Sequence, residues 1–418
     1  MTTTPETRPS STANALGYFK GNKTELLAIG GAALLGTTAL ATPLLATTVG
    51  AMALMAGSFY LLVKNSDIVV NNAKAMGERS GIPPLLVGLG LGAVTSMPEM
   101  LVSVQAALGG VAELAVGNIV GSNIANILLI LGLTAAIAPI TSKGLSWRYN
   151  TLAMAGATAI FAGAMIYGGI GAAAGIGMLV AMGAYMFGSY KAEKDDEITA
   201  RAKGETPEQK TLPTTGLYGF PKWANVAYGA AGVGGLIAAA GLLVSSATVT
   251  ATALGISPAL VGTLAVAVGT SLPELAVNVK AALKGETEMA VGNILGSNIF
   301  NILAVGGAVS LLSSVSVPAD FTPATGYGLL NLGAFTASAG LLTYALLKGK
   351  GALTRVQGIA GLGLYAAFTA ASFFMSEAAP ADKAAEMAPP ARAAIVETIP
   401  ATQHSALIPG YTNQLKPL

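Results

Sequence analysis

The chain has 418 residues, 53% of them hydrophobic and 10% charged, with a net charge of +2. Soluble domains carry about a quarter charged residues, so this composition excludes a nucleic-acid binder, a disordered protein and an ordinary cytosolic enzyme. Mean hydropathy is +0.64. The 53 glycines follow no collagen period and suit helices packed closely in a bilayer. There is no cysteine, and the single histidine, His404, lies in a polar tail, which removes thiol, zinc-thiolate and imidazole chemistry.

A membrane span needs about 20 mostly apolar residues. Such stretches fall near residues 26–42, 46–76, 82–108, 113–138, 150–168, 171–190, 224–252, 256–283, 287–312, 325–347 and 354–376. The pattern predicts an all-α polytopic membrane protein with ten core transmembrane helices and one additional N-terminal helix. Five regions follow: an N-terminal segment (1–45), a first half (46–190), a linker (191–222), a second half (223–376) and a polar, disordered tail (377–418). The linker carries six basic and six acidic residues and reads as solvated.

Lys and Arg concentrate on the cytoplasmic side of membrane proteins. They occur before the first span and at the turns holding Lys74 and Arg79, Lys143 and Arg148, Lys280 and Lys284, and Lys348, Lys350 and Arg355. The intervening turns hold none. This alternation predicts a cytoplasmic N-terminus and linker, with the C-terminus outside.

An internal repeat occupies the centre of each half. Residues 95–126 (TSMPEMLVSVQAALGGVAELAVGNIVGSNIAN) align without a gap with residues 270–301 (TSLPELAVNVKAALKGETEMAVGNILGSNIFN), with 21 of 32 positions identical. Allowing one gap, GIPPLLVG (81–88) also matches GISPALVG (255–262). Five helices per half, an odd number, would insert the second copy upside down, an arrangement used by transporters with a site where the repeats meet.

Polar side chains recur inside both copies. Of the 20 acids, only Asp67, Glu99 and Glu274 lie well inside apolar spans. A charge there costs at least ~2.5 kcal/mol. Helix rise places Glu99 at about the depth of Ser122, with Asn126 a turn further on, and likewise Glu274 beside Ser297 and Asn301. Pro98 and Pro273 remove a backbone donor just before each acid, which predicts a helix break that frees carbonyls of Gly92–Thr95 and Ala267–Thr270. Carboxylates, hydroxyls, amides and carbonyls form an all-oxygen shell suited to a hard cation such as Ca²⁺. Asp67 lies one turn from Lys64, so an i, i+3 ion pair accounts for both. Glu286 and Glu288 sit at turns and are expected to face solvent.

The paired motifs TSMPE with GNIVGSNIAN and TSLPE with GNILGSNIFN resemble the α-repeats of the Ca²⁺/cation antiporter superfamily, nearest to bacterial sodium/calcium exchanger-like proteins. The resemblance covers roughly residues 46–376. It implies two inverted five-helix repeats, exchange of Ca²⁺ for Na⁺ by alternating access, no cofactor and a bacterial inner (plasma) membrane location. It also implies cation ligands from Thr95, Ser96, Glu99, Ser122 and Asn126, and from Thr270, Ser271, Glu274, Ser297 and Asn301. Sodium-coupled members tend to carry Asp where this chain has Asn301, and the symmetric Asn126/Asn301 pair resembles proton-coupled relatives. H⁺/Ca²⁺ exchange at the same two glutamates is the alternative. A channel fits less well, because one internal pair of acids in inverted halves supplies no ring around a pore. An intramembrane enzyme is the third and weakest alternative, because a diaspartyl protease needs two Asp and a zinc protease needs His, and neither set occurs in these spans.

Overall fold

The computed structural model describes residues 23–35, 44–45, 47–109, 112–142, 146–167, 169–202, 216–253, 269–312, 315–316, 323 and 325–377. The first helix, α1 (Lys23–Leu35), is followed by α2 (Thr48–Ser80), α3 (Pro84–Thr95), α4 (Met97–Leu108) and α5 (Ala112–Ile124). A π-helical stretch (Ala125–Leu131) continues α5 into α6 (Gly132–Ile137), followed by β1 (Ile140–Thr141), α7 (Ser146–Ile166), β2 (Gly169–Ile170) and α8 (Ala172–Ala202). The second half comprises α9 (Lys222–Ala253), α10 (Leu272–Leu283) and α11 (Thr287–Ile299), with a second π-helical stretch (Phe300–Val305) leading into α12 (Gly306–Leu312). It ends with β3 (Val315–Ser316), α13 (Gly326–Lys348), β4 (Ala352–Leu353) and α14 (Arg355–Glu377).

Among the described residues, nine segments are long and apolar enough to cross a membrane. They correspond to nine of the eleven predicted spans. Of the other two, the first is described only as far as Leu35, within α1, and residues 256–268 of the 256–283 span lie outside the described residues. The tail from 378 also lies outside them.

Local chemistry sets the helix ends. Thr47 caps α2 by accepting the Gly50 N–H at 3.1 Å, and Gly81 closes it with φ +66°, a left-handed conformation that glycine adopts without strain. Thr325 caps α13 through Gly328 N at 2.9 Å. The start of the linker is helical, because α8 runs on to Ala202, and none of residues 191–199 is buried. Its sequence there, KAEKDDEITARA, is polar on every face but rich in strong helix formers.

The strand pairs report the inversion of the two halves. β1 follows the third core helix of the first half and pairs antiparallel with β4, which joins the last two helices of the second. β3 follows the equivalent third helix of the second half and pairs antiparallel with β2, which joins the last two helices of the first. One 21-residue helix, α7, separates β1 from β2, a rise of about 31 Å. Equivalent loops therefore lie at opposite ends of the bundle. The fold is a pair of inverted helical repeats.

Two expectations are corrected at the end of the bundle that carries Lys280 and Lys284. Asp67 does not pair with Lys64, which lies over the Tyr60 ring 5.8 Å from its centroid. It pairs across the bundle with Lys280 at 2.9 Å and Lys284 at 2.7 Å, because α2 packs along α10 and brings both ammonium groups to its carboxylate. Glu286 is not a solvated turn residue. Its side chain is 15% exposed and forms an ion pair with Lys74. At the same end Tyr218 donates to Glu78 at 2.5 Å. Burial first, and then Glu78, push that phenol up to about 12.

Candidate functional site

The site is built where α3 and α4 meet α10 and α11. In each half the chain bends at a serine: Ser96 (φ −85°, ψ 9°) joins α3 to α4, and Ser271 (φ −88°, ψ 7°) precedes α10 with almost the same conformation. Proline follows two residues later in both, so one intrahelical donor is missing and the helix direction changes. Glu99 and Glu274 then fall in the first turn of α4 and α10. They are 1% and 0% exposed.

Close packing brings the repeats together. Cβ atoms added at Gly92 or Gly296 would meet Ser297 N at 2.6 Å or Leu89 O at 2.7 Å, both backbone atoms of the facing helix. Gly88 and Gly292 face each other in the same way. Only glycine permits this approach of α3 to α11.

The serines and glutamates cross between repeats. Ser96 Oγ donates to Glu274 Oε1 at 2.9 Å, and Ser271 Oγ donates to Glu99 Oε1 at 3.3 Å. The second oxygen of each carboxylate, Oε2, is buried without a hydrogen-bond partner, as are Asn126 Oδ1 and both amide atoms of Asn301. Asn126 Nδ2 donates to Asn298 Oδ1 at 3.4 Å. Asn126 and Asn301 sit in the two π-helical stretches, a geometry that turns side chains off the regular helical face and recurs at functional sites.

A polar frame surrounds these groups. Asn118 donates to Glu99 O at 3.1 Å and to Ser103 Oγ at 2.9 Å, while Thr270 Oγ1 donates to Asn118 Oδ1 at 3.4 Å. In the other repeat Asn293 donates to Thr95 Oγ1 at 3.3 Å, and Asn278 donates to Glu274 O at 2.8 Å and to Asn293 Oδ1 at 2.5 Å. Ser103 and Asn278 belong to this polar frame, and the sequence reading misses them. A signal for them exists, since they are equivalent positions in the aligned repeats and both are polar.

Of the ten candidate ligand residues, Thr95, Ser96, Glu99, Ser122, Asn126, Ser271, Glu274, Ser297 and Asn301 are buried and Thr270 is partly buried. One expectation about the backbone fails. Gly92 O is not freed by the bend, because it accepts from Ser96 N at 3.1 Å and from Ser297 Oγ at 3.2 Å. The close approach of α11 supplies that hydroxyl. The equivalent carbonyls of Ala267 and Val268 lie outside the described residues. Among the described residues no group of three or more Asp, Glu, His or Cys side chains could hold a metal, so a cation here would be met by two carboxylates and otherwise neutral oxygens.

A profile of the sodium/calcium exchanger protein family matches residues 50–191 and 225–374. CaxA of Alkalimonas amylolytica, named as a candidate antiporter, is 34% identical over 322 residues, which span 74% of this chain and 93% of CaxA. The inner membrane protein YrbG of Escherichia coli K12 is 36% identical over 271 residues, 63% of this chain and 80% of YrbG. The solved sodium-calcium exchanger NCX_Mj, soaked with Na⁺ and Sr²⁺, superposes with a TM-score of 0.63 at 26% identity, covering 78% of this chain and 99% of NCX_Mj. Each matched block contains one copy of the repeat, and the linker falls between them. A cation transporter rather than an enzyme, and a multi-pass membrane protein, the chain belongs to the sodium/calcium exchanger family.

Proposed function

We propose that this protein exchanges Ca²⁺ for Na⁺ by alternating access at the Glu99–Glu274 site. The observation that carries this reading is the pair of symmetry-related carboxylates, each with one oxygen fixed by the other repeat's serine and the other oxygen unpartnered. A buried carboxylate oxygen without a donor is strongly disfavoured unless a cation or a proton meets it. The divalent ion bridges Glu99 and Glu274, with Asn126 and Asn301 offering amide oxygens and Thr95, Thr270, Ser96, Ser271, Ser122 and Ser297 lining the monovalent positions. The substrates are free ions and no cofactor takes part. The bilayer is a bacterial inner membrane, a reading supported by the likeness to YrbG.

The test is radiolabelled Ca²⁺ uptake into proteoliposomes with Na⁺ and pH gradients imposed separately. Uptake that saturates and requires outward Na⁺ supports the reading. Uptake that needs no counter-ion would make the protein a channel. The second reading, H⁺/Ca²⁺ exchange at the same glutamates, is favoured by the Asn126/Asn301 pair, which leaves the site with two titratable groups.

A further inference from the structure

Both halves of the site follow one pattern, but the two ends of the bundle do not. At one end Asp67 on α2 holds Lys280 of α10 and Lys284 at its C-cap, Lys284 also donates to Asn71 at 2.8 Å, and Lys74 pairs with Glu286 at the start of α11. Lys280 on α10 and Lys284 at its C-cap lie six and ten residues beyond Glu274, about 9 and 15 Å from it along the helix direction. The aligned repeats place Gly241, Thr248, Gln105, Gly109 and Val111 at the positions of Asp67, Lys74, Lys280, Lys284 and Glu286. None of these five is ionisable. α2 also packs along α10, whereas among the described residues the equivalent helices α9 and α4 make no comparable contact.

We propose that Asp67, Lys280 and Lys284, with Lys74 and Glu286, form a one-ended ionic latch that biases the exchanger toward the conformation closed at this end. The inference rests on the alternating-access reading above. A site reached from both sides in turn requires α2 to part from α10 in one state, which separates Asp67 from both lysines. The five aligned positions at the opposite end lack these charges, and among the described residues no equivalent ion pair joins α9 to α4. The pair of lysines on one carboxylate is partly buried, so its attraction is screened less than that of a surface pair. The asymmetry therefore belongs to the conformational equilibrium and not to the ion site, whose ligands it does not touch.

The cysteine-free chain allows a direct measurement. Val277 is fully buried in the apolar cluster that joins α10 to Val69 and Val70 of α2, and a Val277→Cys reporter becomes reactive when these helices separate. An impermeant maleimide is applied from the latch end to oriented proteoliposomes. Labelling should be slow in the otherwise unaltered chain and about three- to tenfold faster with Asp67→Asn, the range expected for loss of a partly screened ion-pair cluster. The mirror-image variant Asp67→Lys/Lys280→Asp/Lys284→Asp should return to slow labelling, with folding of each variant followed by size-exclusion elution. Equal labelling with and without Asp67→Asn overturns the latch. Acceleration that the charge mirror fails to reverse overturns it too, because Asp67 would then act by packing. Ca²⁺ countertransport in the same vesicles tests the exchange reading separately. Its absence in the unaltered chain sinks that reading, while the labelling rates still decide the latch.

Discussion

Ser96 on one repeat donates its hydroxyl to Glu274 on the other at 2.9 Å, and the reciprocal bond from Ser271 to Glu99 is longer, at 3.3 Å. Hydrogen bonds to ionised groups contribute about 1.5–3 kcal/mol. Their removal should loosen the carboxylates as cation ligands. Ser96→Ala is expected to raise the half-saturating Ca²⁺ concentration about tenfold, the lower end of that range. Ser271→Ala should have a smaller effect, in keeping with its longer bond. Initial rates of uptake against Ca²⁺ concentration provide the comparison, and equal effects would show that the two bonds are equivalent in the working protein.

Glu99→Gln and Glu274→Gln should each reduce exchange to the level of empty liposomes while the protein stays folded in the membrane. The amide keeps the shape of the side chain and removes a buried charge that is costly to desolvate. Size-exclusion profiles and thermal unfolding separate loss of function from loss of fold. Full transport by either variant would remove that glutamate from the site.

Legibility in the sequence follows the range of the interactions. The repeat, the two acids and the depth match between Glu99 and Ser122 can be read because each depends on spacing within one hairpin. The partner of Asp67 cannot, since Lys280 lies more than two hundred residues away and the local candidate, Lys64, satisfies the same spacing rule. The π-helical stretches leave no mark in the hydrophobic period, because one extra residue in a turn is invisible in an all-apolar run such as ILLIL. The helical start of the linker is hidden for a different reason. Hydropathy reports burial, whereas the helix there reflects the intrinsic propensity of Ala, Glu, Lys and Arg.

Gly92→Ala and Gly296→Ala should destabilise the fold, because the new Cβ would lie 2.5 Å from Asn293 O or 2.7 Å from Leu89 O, facing backbone that cannot yield as a side chain can. Overpacking of this kind typically costs about 1–3 kcal/mol, which lowers the thermal midpoint and displaces Ser297 from Gly92. Gly90→Ala is the control on the same helix, since a methyl group there would meet nothing within 4 Å. It should leave stability unchanged or raise it slightly, by up to about 1 kcal/mol. A similar loss in all three variants would show that the packing of α3 on α11 is not what sets the cost.

The Lys/Arg alternation predicts the orientation, and the strand pairs are consistent with it, since β1 with β4 and β2 with β3 join loops assigned to the same side. Thr199 is exposed on the extension of α8. A Thr199→Cys variant should react with an impermeant maleimide in inside-out vesicles and remain unlabelled in intact cells. Labelling in intact cells would reverse the topology.

The coupling ion turns on Asn301. Both its amide oxygen and its amide nitrogen are buried without partners, and its repeat mate Asn126 also leaves its oxygen unpartnered. A neutral amide can offer an oxygen to a monovalent cation but cannot carry a proton across, so any proton coupling must run through Glu99 and Glu274 alone. The hydroxyls of Thr95, Ser96, Ser271 and Ser297 add neutral oxygens suited to Na⁺, a hard cation. The expected outcome is Ca²⁺ uptake driven by an outward Na⁺ gradient at uniform pH, with little uptake driven by a pH gradient in Na⁺-free buffer. Asn301→Asp adds a third carboxylate to the candidate ligand set. Ionised, it should draw Na⁺ more strongly and lower the half-saturating Na⁺ concentration. Ca²⁺ flux driven in Na⁺-free buffer by pH alone would assign the protein to proton coupling instead, with the two glutamates carrying the protons.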